Sequence, residues 1–317
     1  MISSSDISII IQGPVVGKPL DLYENQGTQQ CIDNIREHLP YAEIIVSTWE
    51  GTEIHHLKEV DKIVFSKDPG AITYNDYELK GVYNNNNRQI VSTYAGLKAA
   101  TKPYAIKFRC DFRFRNTNFL TFFKKYESRF AKYSFFSDRV ITCNLAFRDC
   151  TKHPVLFAIS DLFQFGNTND LYNLWDIPLQ LEPETTRAYS YNKQFFNDPF
   201  RFNQYKMKYS SEQYIWYAFS KKYNLDLSLK YFCEIPPLKI IPSIISTLNN
   251  FVVVNFEDLG LVPPERLIHS TDLMINSKSW HNYYENIFLL KKNKTIIELW
   301  IKTIYSSFKQ IFNNYVK

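Results

Sequence analysis

The chain has 317 residues, 45% hydrophobic and 22% charged, enough to bury one large core or two small ones. Its net charge of +5 suits an anionic small molecule or an anionic membrane surface and is too weak to imply nucleic acid. Only 9 glycines occur, and neither G-x-G-x-x-G nor G-x-x-x-x-G-K-[ST] is found, which argues against the glycine-rich phosphate loops.

Taken in order, Ile7 to Ile11 is a β-branched run stopped by Gln12-Gly-Pro14, a buried first strand ending in a turn. Thr28 to Leu39 has helical spacing, with Cys31, Ile32, Ile35 and Leu39 on one stripe, and Pro40 ends it. Glu43 to Thr48 and Asp61 to Phe65 read as the second and third strands, closed by Trp49-Glu-Gly51 and Ser66-Lys-Asp-Pro-Gly70. The polar Asn84 to Gln89 precedes a helix over Ile90 to Ala100. A fourth strand then begins at Tyr104 and changes abruptly into Arg109, Asp111, Arg113 and Arg115.

Strand, helix, strand, strand, helix, strand is the rhythm of an open α/β sheet. If its strands are parallel, their polar ends meet in one crevice, because ligands in such sheets bind beyond the carboxyl ends of strands. A lone acid among arginines there suits a phosphorylated ligand, since guanidinium groups bond phosphate in pairs and a carboxylate holds a divalent cation. A charged edge strand with solvated arginines accounts for the same residues equally well.

Further on, Phe119 to Phe130 reads as a helix with Lys124, Lys125 and Arg129 outside, and Arg139 to Cys143 as a strand. Pro154 to Gly166 is an apolar run with Asp161 and Gln164 embedded; a buried carboxylate needs a partner or a task. Asn167 to Lys208, with three prolines, reads as a long excursion with short helices covering a site. Ser210 or Ser211 caps a helix running to Phe219, which puts Glu212 in its first turn as a base or as a mere complement to the helix dipole. Leu225 to Ile241 reads as two short strands around Pro236-Pro237, and Asn250 to Asn255 as another. His269 is a candidate for phosphate, though a lone histidine is more often packed or exposed. Tyr283 to Lys317 is helical in period, apolar on one side and lysine-rich on the other, as in helices that rest on a membrane or pack on a partner.

The 5 cysteines form no C-x-x-C pair and read as free thiols of a reducing compartment; the 6 histidines show no metal-ligand spacing. Met1 to Asp6 lacks the basic and apolar regions of a signal peptide, and no apolar run approaches the ~20 residues of a membrane span. A cytoplasmic protein is expected, with contact at the inner face of the cytoplasmic membrane.

Six segments also carry a resemblance: Ile9 to Pro14, Ala42 to Gly51, Lys67-Asp-Pro-Gly70, Asn86 to Thr93, Lys107-Phe-Arg-Cys-Asp111 and Ser160 to Gly166. Their order and spacing resemble the WavE family of lipopolysaccharide and capsule synthesis proteins, over roughly Ile7 to Phe219. The resemblance implies a GT-A-like fold: an open, twisted, mainly parallel sheet flanked by helices. Residues 1–270 are expected to form the domain for nucleotide sugar and acceptor, and 271–317 a C-terminal amphipathic helical extension.

The activity implied is that of a glycosyltransferase, moving a hexose or pentose from a nucleotide sugar to a bacterial surface glycan, free or lipid-linked. A non-catalytic carbohydrate-binding or assembly protein on the same fold is the alternative, its many aromatics stacking on sugars. For the transferase, Gln12, Gly13 and Pro14 with Ser47, Thr48 and Trp49 are assigned to the nucleotide, and Asp68 to base or ribose. Asn87, Arg88 and Arg109 are assigned to diphosphate or sugar, and Asp111 to the donor or a metal. Glu212 is the first candidate base and Asp161 the second. The Asp-x-Asp common in GT-A enzymes is Asp111-Phe-Arg113 here. That leaves two options open: Mg or Mn held by Asp111, or Arg109 and Arg113 in the metal's place.

Overall fold

The protein is described by a computed structural model for residues 2–17, 27–73, 83–181, 208–268 and 271–315. Its centre is a seven-stranded sheet built from β1 (Ile7–Gln12), β2 (Glu43–Trp49), β3 (Lys62–Ser66), β4 (Tyr104–Arg109), β5 (Val140–Cys143), β6 (Gln164–Asn167) and β7 (Phe251–Val254). The strand order is β7-β5-β6-β4-β1-β2-β3. All neighbours run parallel except β6, which is antiparallel to both β4 and β5. The expected mixed α/β class with a mostly parallel sheet is therefore what the chain adopts.

The apolar runs explain the centre of the sheet. β1 is buried along its whole length, as a strand covered on both faces must be. The helices beside the sheet are α1 (Thr28–His38) and α2 (Asn86–Ala99). α2 packs against β1 and β2 through Gly96, where an added Cβ would lie 2.4 Å from Ile10 Cγ2. β2 is anchored by the buried Glu43, which accepts from Thr101 Oγ1 at 2.8 Å and pairs with Lys62 Nζ at 2.8 Å. Burial pushes this carboxyl up, but Lys62, Ser8 and Thr101 outweigh it and hold the group down at about 2.

Several segments differ from the sequence expectation. Phe119 to Phe130 is a short 3₁₀ turn, Asn118–Phe122, followed by irregular chain, because Lys124 adopts φ 58° and breaks any helix there. Arg129 is not an outward residue: it donates to the carbonyls of Phe136 and Ser137 at 2.8 and 2.7 Å. Of the apolar run Pro154 to Gly166, only the end is strand; the rest is buried irregular chain. The strands expected around Pro236-Pro237 give way to a helix, Pro237–Asn250, with proline at its first position, where a missing N–H costs nothing. Within the expected excursion, α3 (Thr168–Trp175) forms, while 182–207 and the candidate His269 lie outside the described residues.

The remaining helices are α4 (Ser211–Ser220), α5 (Pro237–Asn250), α6 (Ser277–Tyr283) and α7 (Asn293–Tyr315), with a π-helical turn at Tyr284–Leu289. The terminal helix is thus broken at Lys291, whose φ is 48°. Arg139, just before β5, joins this end to the sheet. Its guanidinium donates to the carbonyls of Leu248, Tyr126 and Ser128 at 3.0, 2.6 and 2.8 Å. The rings of Trp280, Tyr284 and Phe288 lie 5.8, 5.1 and 5.0 Å from it, a cation–π stack that keeps a buried charge partnered.

Candidate active site

The chain lays β1, β2 and β3 outward in one direction, then returns to place β4 on the other side of β1. That makes β1 and β4 the switch point of the sheet, with Gln12 directly opposite Arg109. An open cleft of about 880 Å³ lies there. It is lined by the ends of all four of these strands: Gln12, Gly13 and Pro14 after β1, Trp49 at the end of β2, Asp68 beyond β3, and Arg109 to Asp111 at the end of β4.

The reversed strand, next to β4 in the sheet, supplies the adjoining wall. Because β6 runs against its neighbours, its beginning lies where theirs end, and Gln164 pairs with Lys107. The chain entering β6 therefore carries Asp161 into the cleft. Lys107, fully buried beneath it, donates to the Asp161 main-chain carbonyl and lies 5.2 Å from the Trp175 ring. Burial lowers the Lys107 ammonium to about 8.

α4 brings in Glu212. Ser210 caps this helix, its Oγ accepting from Gln213 N at 3.3 Å, while Gln213 Oε1 accepts from Ser210 N at 3.1 Å. Gln213 also donates to the carbonyls of Leu156 and Phe232 at 3.0 and 2.8 Å, which fixes the helix start. Glu212, half-buried in the first turn, lines the cleft together with Asp161. Burial, and then the Asp161 carboxylate, raise the Glu212 carboxyl above its ordinary range.

The cationic wall is fully paired. Arg88 forms two bonds to Asp68, at 2.8 and 2.7 Å, and this guanidinium holds the Asp68 carboxyl below its ordinary value. Arg109 forms two more to Asp111, both at 2.8 Å. Arg266, which lies 155 positions further along the chain, also pairs with Asp111. Burial pushes the Asp111 carboxyl up, but Arg109 and then Arg266 bring it below its usual value. Arg113, the other cation proposed at the site, instead donates to the carbonyls of Cys110, Phe112 and Gly27.

Of the residues named from sequence, Gln12, Gly13, Pro14, Trp49, Asp68, Arg88, Arg109, Asp111, Asp161 and Glu212 all line this one cleft. Thr48 and Asn87 do not. Thr48 is wholly buried, since side chains alternate along a strand and Trp49 takes the cleft side. Asn87 turns from the cleft to clamp Gln180, donating to its carbonyl at 2.9 Å and accepting from its N–H at 2.7 Å. Ser47 is likewise buried, and its carbonyl accepts from Gly13 N at 3.0 Å. Gly13 has φ 108°, a conformation that favours glycine.

Sequence reasoning missed Arg266 and gave Lys107 no role. Arg266 has no local signal, being a single arginine after two prolines. Lys107 does have one, a lysine inside an otherwise apolar strand.

As for a metal, a divalent cation takes several oxygen ligands. Both oxygens of Asp111 are engaged by guanidinium groups, and among the described residues no three His, Cys, Asp or Glu side chains converge. The described residues by themselves therefore build no divalent-cation cage at Asp111.

Fold and cleft together define a mixed α/β protein with a charged ligand-type crevice at the switch point of its sheet. The chain belongs to the WavE lipopolysaccharide synthesis family, whose model matches residues 7–313. It thereby falls within lipopolysaccharide synthesis. No curated protein matches it. Among the described residues, no helix is long and apolar enough to cross a membrane.

Proposed function

We propose that this protein is a glycosyltransferase that moves a sugar from a nucleotide-sugar donor to a growing lipopolysaccharide-type glycan. The observation that carries this reading is the meeting, in one cleft, of Arg88, Arg109 and Arg266 with Glu212 and Asp161. The cleft volume lies within the range of about 300–1,000 Å³ typical of small-molecule sites.

In the proposed reaction an acceptor hydroxyl oxygen attacks the anomeric carbon of the donor sugar. Its proton passes to the Glu212 carboxylate, whose raised basicity suits the task. The bond from that carbon to the diphosphate oxygen breaks, and the electron pair leaves with the nucleoside diphosphate. Arg109 and Arg266 receive that charge, with Asp111 holding the two guanidiniums side by side. Arginine suits this role because it stays charged and its fork matches phosphate. Gly13 and Trp49 supply the backbone approach and the flat ring for the nucleotide. The route needs no metal at Asp111.

A panel of nucleotide sugars, read by thermal stabilisation and then by nucleotide release, tests the assignment. One donor should raise the melting temperature and be consumed when glycan acceptor is added. If no nucleotide sugar or nucleoside diphosphate stabilises the protein, the assignment is wrong.

A further inference from the structure

The terminal helix α7 carries more apolar surface than it buries. Facing the body are Leu299, Thr303 and Ser306, all buried; Thr303 Oγ1 contacts Cys150 Sγ at 3.4 Å. Facing solvent are Ile297 (54% exposed), Ile301 (53%), Tyr305 (69%) and Phe308 (65%). Steps of four, four and three residues put these four side chains on one continuous stripe. The inner side, with Leu299 and the partly buried Ile296, Trp300 and Ile304, already packs on the body, so the four exposed apolar side chains are a second apolar face that this packing does not use.

The stripe does not end with the helix. The turn before it exposes Leu289 and Leu290, and α5 exposes Leu238 (90%). α5 and α7 are tied there, because Trp300 Nε1 donates to the Pro237 carbonyl at 3.0 Å. The result is an apolar surface drawn from two helices and a turn, of the kind that marks an interaction site.

Charge identifies the occupant. Between Leu289 and Lys309 there are five lysines (Lys291, Lys292, Lys294, Lys302 and Lys309) and one acid, Glu298. Lys294, Lys302 and Lys309 fall along one flank of the stripe by helical spacing. Glu298 lies among them, 3.8 Å from Lys294. A hydrophobic stripe edged by flexible cations matches an anionic lipid surface: the apolar side chains enter the acyl boundary and the lysines reach the headgroups.

We propose that this face docks the protein onto a bilayer bearing anionic lipids, with α7 lying in the plane of the interface. The proposal is independent of the chemistry assigned to the cleft. No helix among the described residues is built to cross the bilayer, so attachment through this face is peripheral.

The test is co-sedimentation of the full chain with phosphatidylcholine vesicles, with and without about 30% phosphatidylglycerol. The wild type should pellet with the anionic vesicles at low salt and be released as salt is raised. The pair Ile301→Ser and Phe308→Ser removes only exposed apolar groups, so its melting temperature should be unchanged while vesicle partitioning falls by about tenfold or more. Lys302→Glu with Lys309→Glu should weaken binding to anionic vesicles and leave the residual binding to neutral ones untouched. Three results overturn the proposal. The wild type stays in the supernatant with both vesicle types. The serine variant partitions as the wild type does. Or sedimentation velocity shows a dimer that the serine variant dissolves without any vesicle binding, in which case the face joins two copies of this chain.

Discussion

The two walls of the cleft treat the same functional group in opposite ways. On the wall formed by the ends of β3 and β4, Asp68 and Asp111 are each gripped by a guanidinium, and their protons are held less tightly than usual. On the wall formed by the start of β6 and of α4, burial and the neighbouring Asp161 make the Glu212 carboxyl hold its proton more tightly. A carboxylate tied to arginine is fixed in place and is a weak base; one set beside another acid is a better one. The first wall is suited to orient and neutralise an anion, the second to accept a proton.

The largest break in this contrast should come from Glu212→Gln. It is expected to lower turnover by about 10²–10⁴-fold while a nucleoside diphosphate still binds. Retained turnover would leave Glu212 with no part in the chemistry. The same variant has an expected signature in stability. A carboxyl whose proton affinity is raised on folding favours the folded state below its unfolded pKa and loses that advantage as pH rises through the folded value. At neutral pH the glutamine variant should therefore melt at or above the wild-type temperature, whereas in acid the wild type gains relative to it.

On the cationic wall the expected effects are smaller. Arg266→Ala removes one charge-assisted partner of a diphosphate, worth about 1.5–3 kcal/mol, and should weaken nucleoside diphosphate binding by about ten- to a hundredfold. Isothermal titration reads this directly, and unchanged affinity would remove Arg266 from the donor site. The wild-type rate should also fall as pH drops through the raised Glu212 value, and in the Asp161→Asn variant that inflection should move to lower pH, since one source of the elevation is gone.

Away from the cleft, Glu43 gives a control of opposite sign to Glu212. Its carboxyl is depressed from 4.5 to about 2, so it stabilises the fold above its unfolded pKa, and that contribution disappears as pH falls through about 2. Glu43→Gln should cost about 2–3 kcal/mol at neutral pH by denaturant unfolding, with the difference vanishing in strong acid.

How much of this was legible follows from the range of the interactions. β1 to β4 are β-branched or apolar runs bounded by turn residues, a local signal that the sheet then honours. Their convergence was legible too, because parallel strands must end on one side. What escaped was set by distant partners. Nothing near Arg266 announces Asp111, and nothing in Pro154 to Gly166 says that the strand it feeds will run backwards. Parity was the other limit on β2, where Thr48 and Trp49 follow one another and point to opposite faces; on α2 it is the distant Gln180 that turns Asn87 away while Asn86 and Arg88 line the cleft. The helix at Pro237 was hidden because two prolines read as a break, when the second of them was a start.

The reversed β6 has a consequence for altering what the protein accepts. In a wholly parallel sheet, loops that follow strands shape the ligand, and grafting is done there. Here one wall is delivered by a segment that follows β5 and leads straight back into the antiparallel β6. Lengthening or shortening the 144–160 segment would slide the Asp161 wall relative to the rest of the crevice, whereas changes just after Asn167 fall at the far end of the sheet. Efforts to retune specificity therefore have a handle in this one segment, which both closes β5 and opens the reversed β6.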